Sequence, residues 1–302
     1  MPNAVRSKKS RPSVSIIGSG RLGTALALAL SSSGYSVQAL MSQGLRSAKK
    51  AAALVRGRAL SLQGSELNRL PASKIILIAT PDDQIARTAT KLASSKISSP
   101  KNRVVLHTSG ALSSSVLKPL ANLGFHVGSL HPLVSVSDPE KGQQGLRGAF
   151  YCIEGDATAT RVARALVKDL GGRSFKISSE KKPLYHAAAV MASGHVLALY
   201  DLATDMLVRC GLKRSEALRI LLPLLESTVN NLSQSDPSSA LTGTFARGDI
   251  ATVRRHLEAL SKDGLTQALE IYKLLGARSL ELGVRQGLEP ELVKQIIQTL
   301  SR

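Results

Sequence analysis

Acidic residues, aromatics and cysteines are all scarce in this chain of 302 residues, and Trp is absent. An aromatic share of 3% leaves few stacking platforms for single-stranded nucleic acid. Two cysteines, Cys152 and Cys210, are too few for a disulfide framework or a metal cluster. Free thiols in a reducing compartment follow, and no metal site is expected. No apolar run approaches the roughly 18 residues needed to span a bilayer. The basic start, with Arg6, Lys8, Lys9 and Arg11, leads directly into a strand-like segment rather than the apolar stretch of a leader. A disordered basic tail over 1–12, a cytoplasmic location and no membrane partner are the expectations. Basic residues outnumber acidic ones 40 to 21, a formal charge of +19. They are scattered rather than striped, so attraction to an anionic cofactor or substrate accounts for the excess better than nucleic acid does.

The acid deficit is sharpest at the start, where no Asp or Glu precedes Glu66. This bears on the most informative run in the chain, Val14-Ser15-Ile16-Ile17-Gly18-Ser19-Gly20-Arg21-Leu22-Gly23, followed by the helix-forming Thr24 to Leu30. A buried strand, a glycine turn and a helix N-terminus make a site for a dinucleotide pyrophosphate. Gly18 permits the bend, Gly20 lets backbone approach phosphate, and Gly23 lets helix pack on strand. An NAD site expects an acidic residue about 20 residues on, to hold the ribose 2′-hydroxyl. Here the second strand, Ser36 to Met41, runs instead into Ser42-Gln43-Gly44-Leu45-Arg46-Ser47. Arg46 with Ser42 and Ser47 suits a 2′-phosphate, because a planar guanidinium matches phosphate oxygens. NADP(H) is therefore the expected cofactor, with Lys49 and Lys50 on a solvated helix face.

Further strand-length apolar runs stop at small or polar tips. Lys74 to Ala79 stops at Thr80-Pro81-Asp82-Asp83, Arg103 to His107 at Thr108-Ser109-Gly110, and Phe125 to Leu130 at His131-Pro132. Ala149 to Ile153 and Ser174 to Ile177 follow, with helices between, as in a doubly wound parallel sheet. From Ser178 onward the apolar spacing is helical throughout. The expected fold is a Rossmann-type α/β domain over 13–178, then an all-α domain over 179–302 for substrate and dimer contacts. Pro223 should kink or break its helix.

Ligands of such a sheet bind beyond the carboxyl ends of the strands. Thr80, Pro81, Asp82, Thr108, Ser109 and Gly110 are thus expected beside the cofactor with the glycine loop, although Asp82 or Asp83 also suits a helix cap. Hydride transfer needs a proton donor near neutral pKa, for which histidine is best suited. His131, just past a strand tip, and His186, in the helical run Tyr185-His186-Ala187-Ala188-Ala189, are the candidates; which one acts is open. Tyr185 and Ser193 accompany His186, while His107, His126, His195 and His256 suit structural roles. The punctuated loop Ser235 to Asp249 offers Arg247 for an anionic substrate, with Thr242 and Asn230 as further substrate contacts and Asp249 as a helix cap.

Together Gly18-Ser19-Gly20-Arg21-Leu22-Gly23, His107-Thr108-Ser109-Gly110, Ser129-Leu130-His131-Pro132-Leu133, Glu154-Gly155-Asp156, Tyr185-His186-Ala187-Ala188-Ala189, Leu241-Thr242-Gly243 and Ala246-Arg247-Gly248-Asp249 resemble the Rossmann-like proteins with a C-terminal domain of unknown function family 2520. These are similar to the wider group of pyrroline-5-carboxylate reductase and 6-phosphogluconate dehydrogenase. The resemblance implies an NADP domain, a helical second domain, a homodimer through that domain and oxidoreductase chemistry. It shows no clear equivalent of the Lys-and-Asn pair of the hydroxyacid dehydrogenases. The expected function is an NADP(H)-dependent oxidoreductase acting on a small, anionic carbonyl, imine or hydroxy compound in the cleft between domains. The alternative is a catalytically silent NADP(H)-binding sensor or scaffold.

Overall fold

The computed structural model describes residues 11–55, 59–95 and 100–301. Most of the expected tail lies outside the described residues. The chain divides into two compact units, one ending at Gly194 and the other beginning at His195.

In the first unit β1 (Ser13–Ile17), α1 (Arg21–Ser32), β2 (Ser36–Ser42), α2 (Leu45–Leu54), β3 (Leu60–Gln63), β4 (Ile75–Ile78), α3 (Asp82–Ser94), β5 (Val104–His107), α4 (Lys118–Ala121), β6 (His126–Pro132), α5 (Pro139–Leu146), β7 (Phe150–Gly155), α6 (Ala157–Asp169), β8 (Arg173–Phe175) and α7 (Lys182–Met191) follow in turn. The strands form one sheet in the order β3-β2-β1-β4-β5-β6-β7-β8. Alternate side chains face opposite sides. Val14, Ile16, Leu77 and Leu106 thus pack with α1 and α6, while Ile17, Ile76, Ile78 and Val105 pack with α3. Burial on both faces explains why the central strands are unbroken apolar runs.

The sheet departs from the expected one in three ways. β3 gave no strong signal, because it is a short edge strand with only Leu62 buried. β7 runs antiparallel to β6, while the other neighbours are parallel. That pairing, His131 with Cys152 and Pro132 with Tyr151, carries β6 past the end of β5. His131 therefore lies inside β6 rather than beyond its tip.

The units divide later than the expected boundary at 178. α7 belongs with the sheet, because Lys182 is buried against its edge.

The second unit is helical, with α8 (Gly194–Arg209), α9 (Arg214–Gln234), α10 (Pro237–Ala240), α11 (Thr244–Arg247), α12 (Ile250–Lys262), α13 (Thr266–Arg285) and α14 (Pro290–Leu300). Its small core joins Val253, Leu280, Ile296 and Leu300, with Phe245 and Tyr272 against them. Pro223 sits within α9 without ending it; the helix is exposed there, so water can take the carbonyl that proline leaves unbonded. Asp249 caps α12, accepting from the Thr252 N–H at 3.0 Å.

By length and composition the stretch Ser179–Arg209 is long and apolar enough to cross a membrane. The expectation of no such stretch is corrected. The apolar residues there are not contiguous: polar and charged residues, Lys182, His186 and Asp201 among them, interrupt the Ala, Leu and Val.

The β1–α1 turn is the tightest point of the fold. Gly18 has φ +104°, and a methyl group on Gly23 would stand 1.8 Å from the Gly18 carbonyl oxygen, whereas one on Gly20 would meet nothing within 4 Å. Gly23→Ala is therefore expected to cost about 3 kcal/mol, read as a lower Tm by circular dichroism. Gly20→Ala should leave Tm nearly unchanged.

Candidate functional site

Strand order reverses between β1 and β4, and a crevice at such a switch point is where an open α/β sheet binds ligands. No side chain caps the α1 N-terminus there, so its first N–H groups are available to an anion. Two hydroxyls at this place, Ser19 Oγ and Thr80 Oγ1, are buried without a hydrogen-bond partner. A polar atom buried in that way is costly unless something supplies the bond. The open space over Gly20 and these two hydroxyls fit a phosphate-bearing ligand. Gly18, Ser19, Gly20, Arg21, Leu22, Gly23 and Thr80 thus come together at one edge.

The other expected cofactor residues divide between that edge and its framework. Ser109 Oγ donates to Asp82 Oδ2 at 2.7 Å and accepts from the Ala111 and Leu112 N–H groups, so Asp82 ties the β4 tip to the β5 tip. Pro81 precedes α3, and Thr108 is buried, with its N–H on the Ile78 carbonyl. Arg46 and Ser47 are exposed in the first turn of α2, just past Ser42.

Two imidazoles meet over Gly110. A methyl group at Gly110 would stand 2.4 Å from Nδ1 of His186 and 2.9 Å from Nε2 of His131. The rings are edge to face with centroids 5.4 Å apart, and His186 Nδ1 is buried without a partner. His131 Nδ1 lies 2.6 Å from the Tyr185 hydroxyl. Burial and the neighbouring Cys152 raise the Tyr185 pKa, and burial raises that of the Cys152 thiol. A phenol kept protonated can donate to Nδ1, and in that arrangement the His131 proton sits on Nε2, facing Gly110. Burial, His186 and then Lys182 lower the His131 pKa to about 4, so the ring is neutral at pH 7.

Lys182 was not anticipated. It has no exposed surface, and its Nζ donates to the Ser129 hydroxyl at 2.9 Å and the Ser109 carbonyl at 3.2 Å. Ser129 in turn donates to Glu154 at 3.4 Å, and Glu154 also accepts from Ser114 N–H and Oγ and from Ser179 Oγ. Burial lowers the Lys182 pKa. The signal available in the sequence is spacing: Lys182, Tyr185, His186 and Ala189 share one helix face. This places a lysine one turn before His186, where no clear partner was expected.

The remaining candidates lie apart from this cluster or serve the frame. Ser193 is exposed on the wall of the cavity that His186 borders. Asn230, Thr242 and Arg247 are exposed residues of the second unit. His126 lies 3.4 Å from Asp156, the α6 cap; His256 bonds the Tyr272 hydroxyl at 2.8 Å. His107 is buried, with Nδ1 accepting from Ser109 N–H and Nε2 unpartnered. Among the described residues no group of three or more His, Cys, Asp or Glu is placed to hold a metal.

Comparison with known proteins places these motifs. A Rossmann-like domain matches residues 2–132, and the domain of unknown function DUF2520 matches residues 149–279. The chain carries a Rossmann-like domain followed by a DUF2520 domain. Among solved structures, it is similar to BF3122 of Bacteroides fragilis, described as a proposed NADP oxidoreductase, at 23% identity over 90% of this chain and 99% of that one, with TM-score 0.72. Protein TM1727 of Thermotoga maritima is 24% identical over 95% and 98%, with TM-score 0.63. A pyrroline carboxylate reductase of Plasmodium falciparum, solved with NADP bound, is 14% identical over 91% and 99%, with TM-score 0.57. At these identities the likeness establishes the fold. No functionally curated protein matches the chain.

The buried imidazoles give the protein a definite pH response. His107, like His131, has its pKa lowered to about 4, chiefly by burial. Both bind a proton more readily when unfolded, near pH 6.5, so the folded state is favoured above that pH and loses this advantage as pH falls toward 4. The urea midpoint is expected to drop over that window, and less steeply in His107→Gln.

Proposed function

We propose that this protein is an NADP(H)-dependent oxidoreductase that interconverts a small carbonyl or imine compound with its reduced form. The observation that carries this reading is the position of three buried polar atoms without partners: Ser19 Oγ, Thr80 Oγ1 and His186 Nδ1. All belong to the strand tips and helix along the edge where a dinucleotide would lie. Ser19, Gly20 and the α1 N-terminus would hold the pyrophosphate, Arg46 with Ser42 and Ser47 the 2′-phosphate, and Thr80 and Thr108 the nicotinamide end. When bound, the cofactor supplies or accepts the hydride. The protein's own part is the proton at the reactant's oxygen or nitrogen. With Tyr185 donating to its Nδ1, His131 would present Nε2–H, and His186 presents Nδ1 beside it, so a reactant over Gly110 can bond to one imidazole and exchange its proton with the other. The solved structures of similar fold, described as a proposed NADP oxidoreductase and a pyrroline carboxylate reductase with NADP, support the same reading.

Titration with NADPH and NADH, followed by nicotinamide fluorescence, tests the cofactor assignment. NADPH should bind the more tightly, and Arg46→Ala should weaken NADPH by about tenfold or more while changing NADH little. His186→Ala should lower kcat by about 100-fold or more with NADPH affinity retained. Tight NADPH binding with no turnover of any carbonyl would instead favour the silent sensor.

A second copy of the chain is the proposed partner. α9 buries only Ala217 and exposes Ile220, Leu222, Leu224, Val229 and Leu232, and α8 exposes Leu197 and Leu199. So much apolar surface on neighbouring helices exceeds what a soluble monomer ordinarily presents. A membrane does not suit the start of the Ser179–Arg209 stretch, because Lys182, Tyr185 and His186 are bonded or packed at the sheet edge. Light scattering should give twice 31.9 kDa; a monomeric mass, or sedimentation with vesicles, would overturn the dimer.

A further inference from the structure

We infer that the pocket beside the two imidazoles selects a neutral reactant with an apolar body, a ketone or aldehyde and its alcohol, over a carboxylate-bearing one. The inference rests on the reading of His131 and His186 as the proton-exchanging pair and narrows the class of compound they meet. A cavity of about 450 Å³ in the first unit is bounded by both histidines. Its other walls are mainly Pro132, Leu133, Val134, Ala189 and Val190, with two serine hydroxyls, Ser135 and Ser193, for polarity. No Lys, Arg, Asp or Glu lines it.

Two features disfavour an anion there. Lys182, the cation bonded to the same strand tips, has no exposed surface and has committed Nζ to Ser109 and Ser129. His131 is neutral at pH 7, held so by burial and its neighbours. A carboxylate entering this space would lose its water without gaining a cation. The expected anionic substrate relied on Arg247, which does not line this cavity.

The test compares two probes of one shape, isobutyramide and isobutyrate, which differ in charge at neutral pH. Binding of each to the full-length protein with saturating NADP is followed by saturation-transfer NMR. Isobutyramide should bind at least about tenfold more tightly than isobutyrate. Val190→Trp, at a half-exposed position that should tolerate the larger ring, should abolish the amide signal while NADP still binds. Isobutyrate binding equally or better, neither probe binding, or an amide signal that survives Val190→Trp would each overturn the inference. Turnover separates it from the parent reading. A protein that binds isobutyramide in this pocket but reduces no carbonyl with NADPH keeps the pocket preference and loses the oxidoreductase. One that reduces only oxoacids keeps the oxidoreductase and loses the preference.

Discussion

A buried ammonium is the constraint on which the site depends. Lys182 has no contact with solvent, and a charge in that position is strongly unfavourable unless dipoles surround it. The Ser109 carbonyl and the Ser129 hydroxyl meet it, and Ser129 links it to Glu154. These bonds allow α7 one rotation against the sheet. One turn further along, that rotation delivers Tyr185 to His131 and His186 to Gly110. Burial first and then the same cation keep His107 and His131 uncharged, so the group that fixes the geometry also adds to the neutrality of the rings.

The edge itself is divided in character. On one side of the switch point the backbone does the work, through a helix start and a loop in which any side chain at Gly18 or Gly23 would collide with its neighbours. On the other side side chains dominate, with His107 and His131 held neutral beside the buried Lys182. A dinucleotide carries its charge at the phosphates and its reactive ring far from them, so the open N–H groups at one end of this edge suit the charged part of such a molecule.

Much of this was legible in the residues. Strands buried on both faces announce themselves as runs such as Ile75 to Ile78, and the strand–turn–helix context around Gly18 distinguishes a phosphate loop from a chance glycine cluster. The tips at Thr80 and Thr108 end adjacent strands, β4 and β5, as their apolar runs predict. What stayed hidden depends on pairing and burial across distance. β3 is half exposed and β7 reverses direction, and neither property has a local period. His131 was expected just past a strand because Pro132 looked like a stop; only its pairing with β7 keeps it inside. Lys182 looked like one of 40 basic residues, since nothing in a lysine's own neighbourhood along the chain tells whether it is buried.

The later division between the units changes what can be exchanged as a block. Because α7 travels with the sheet, every group placed here in proton handling, from His131 to His186 with Lys182 beneath them, precedes the joint at Gly194. A recombination event at that joint could replace the helical module wholesale and leave the cluster of His131, His186 and Lys182 intact. Descendants of such an exchange would diverge in whatever their helices contribute, while inheriting the same buried cluster at the sheet edge.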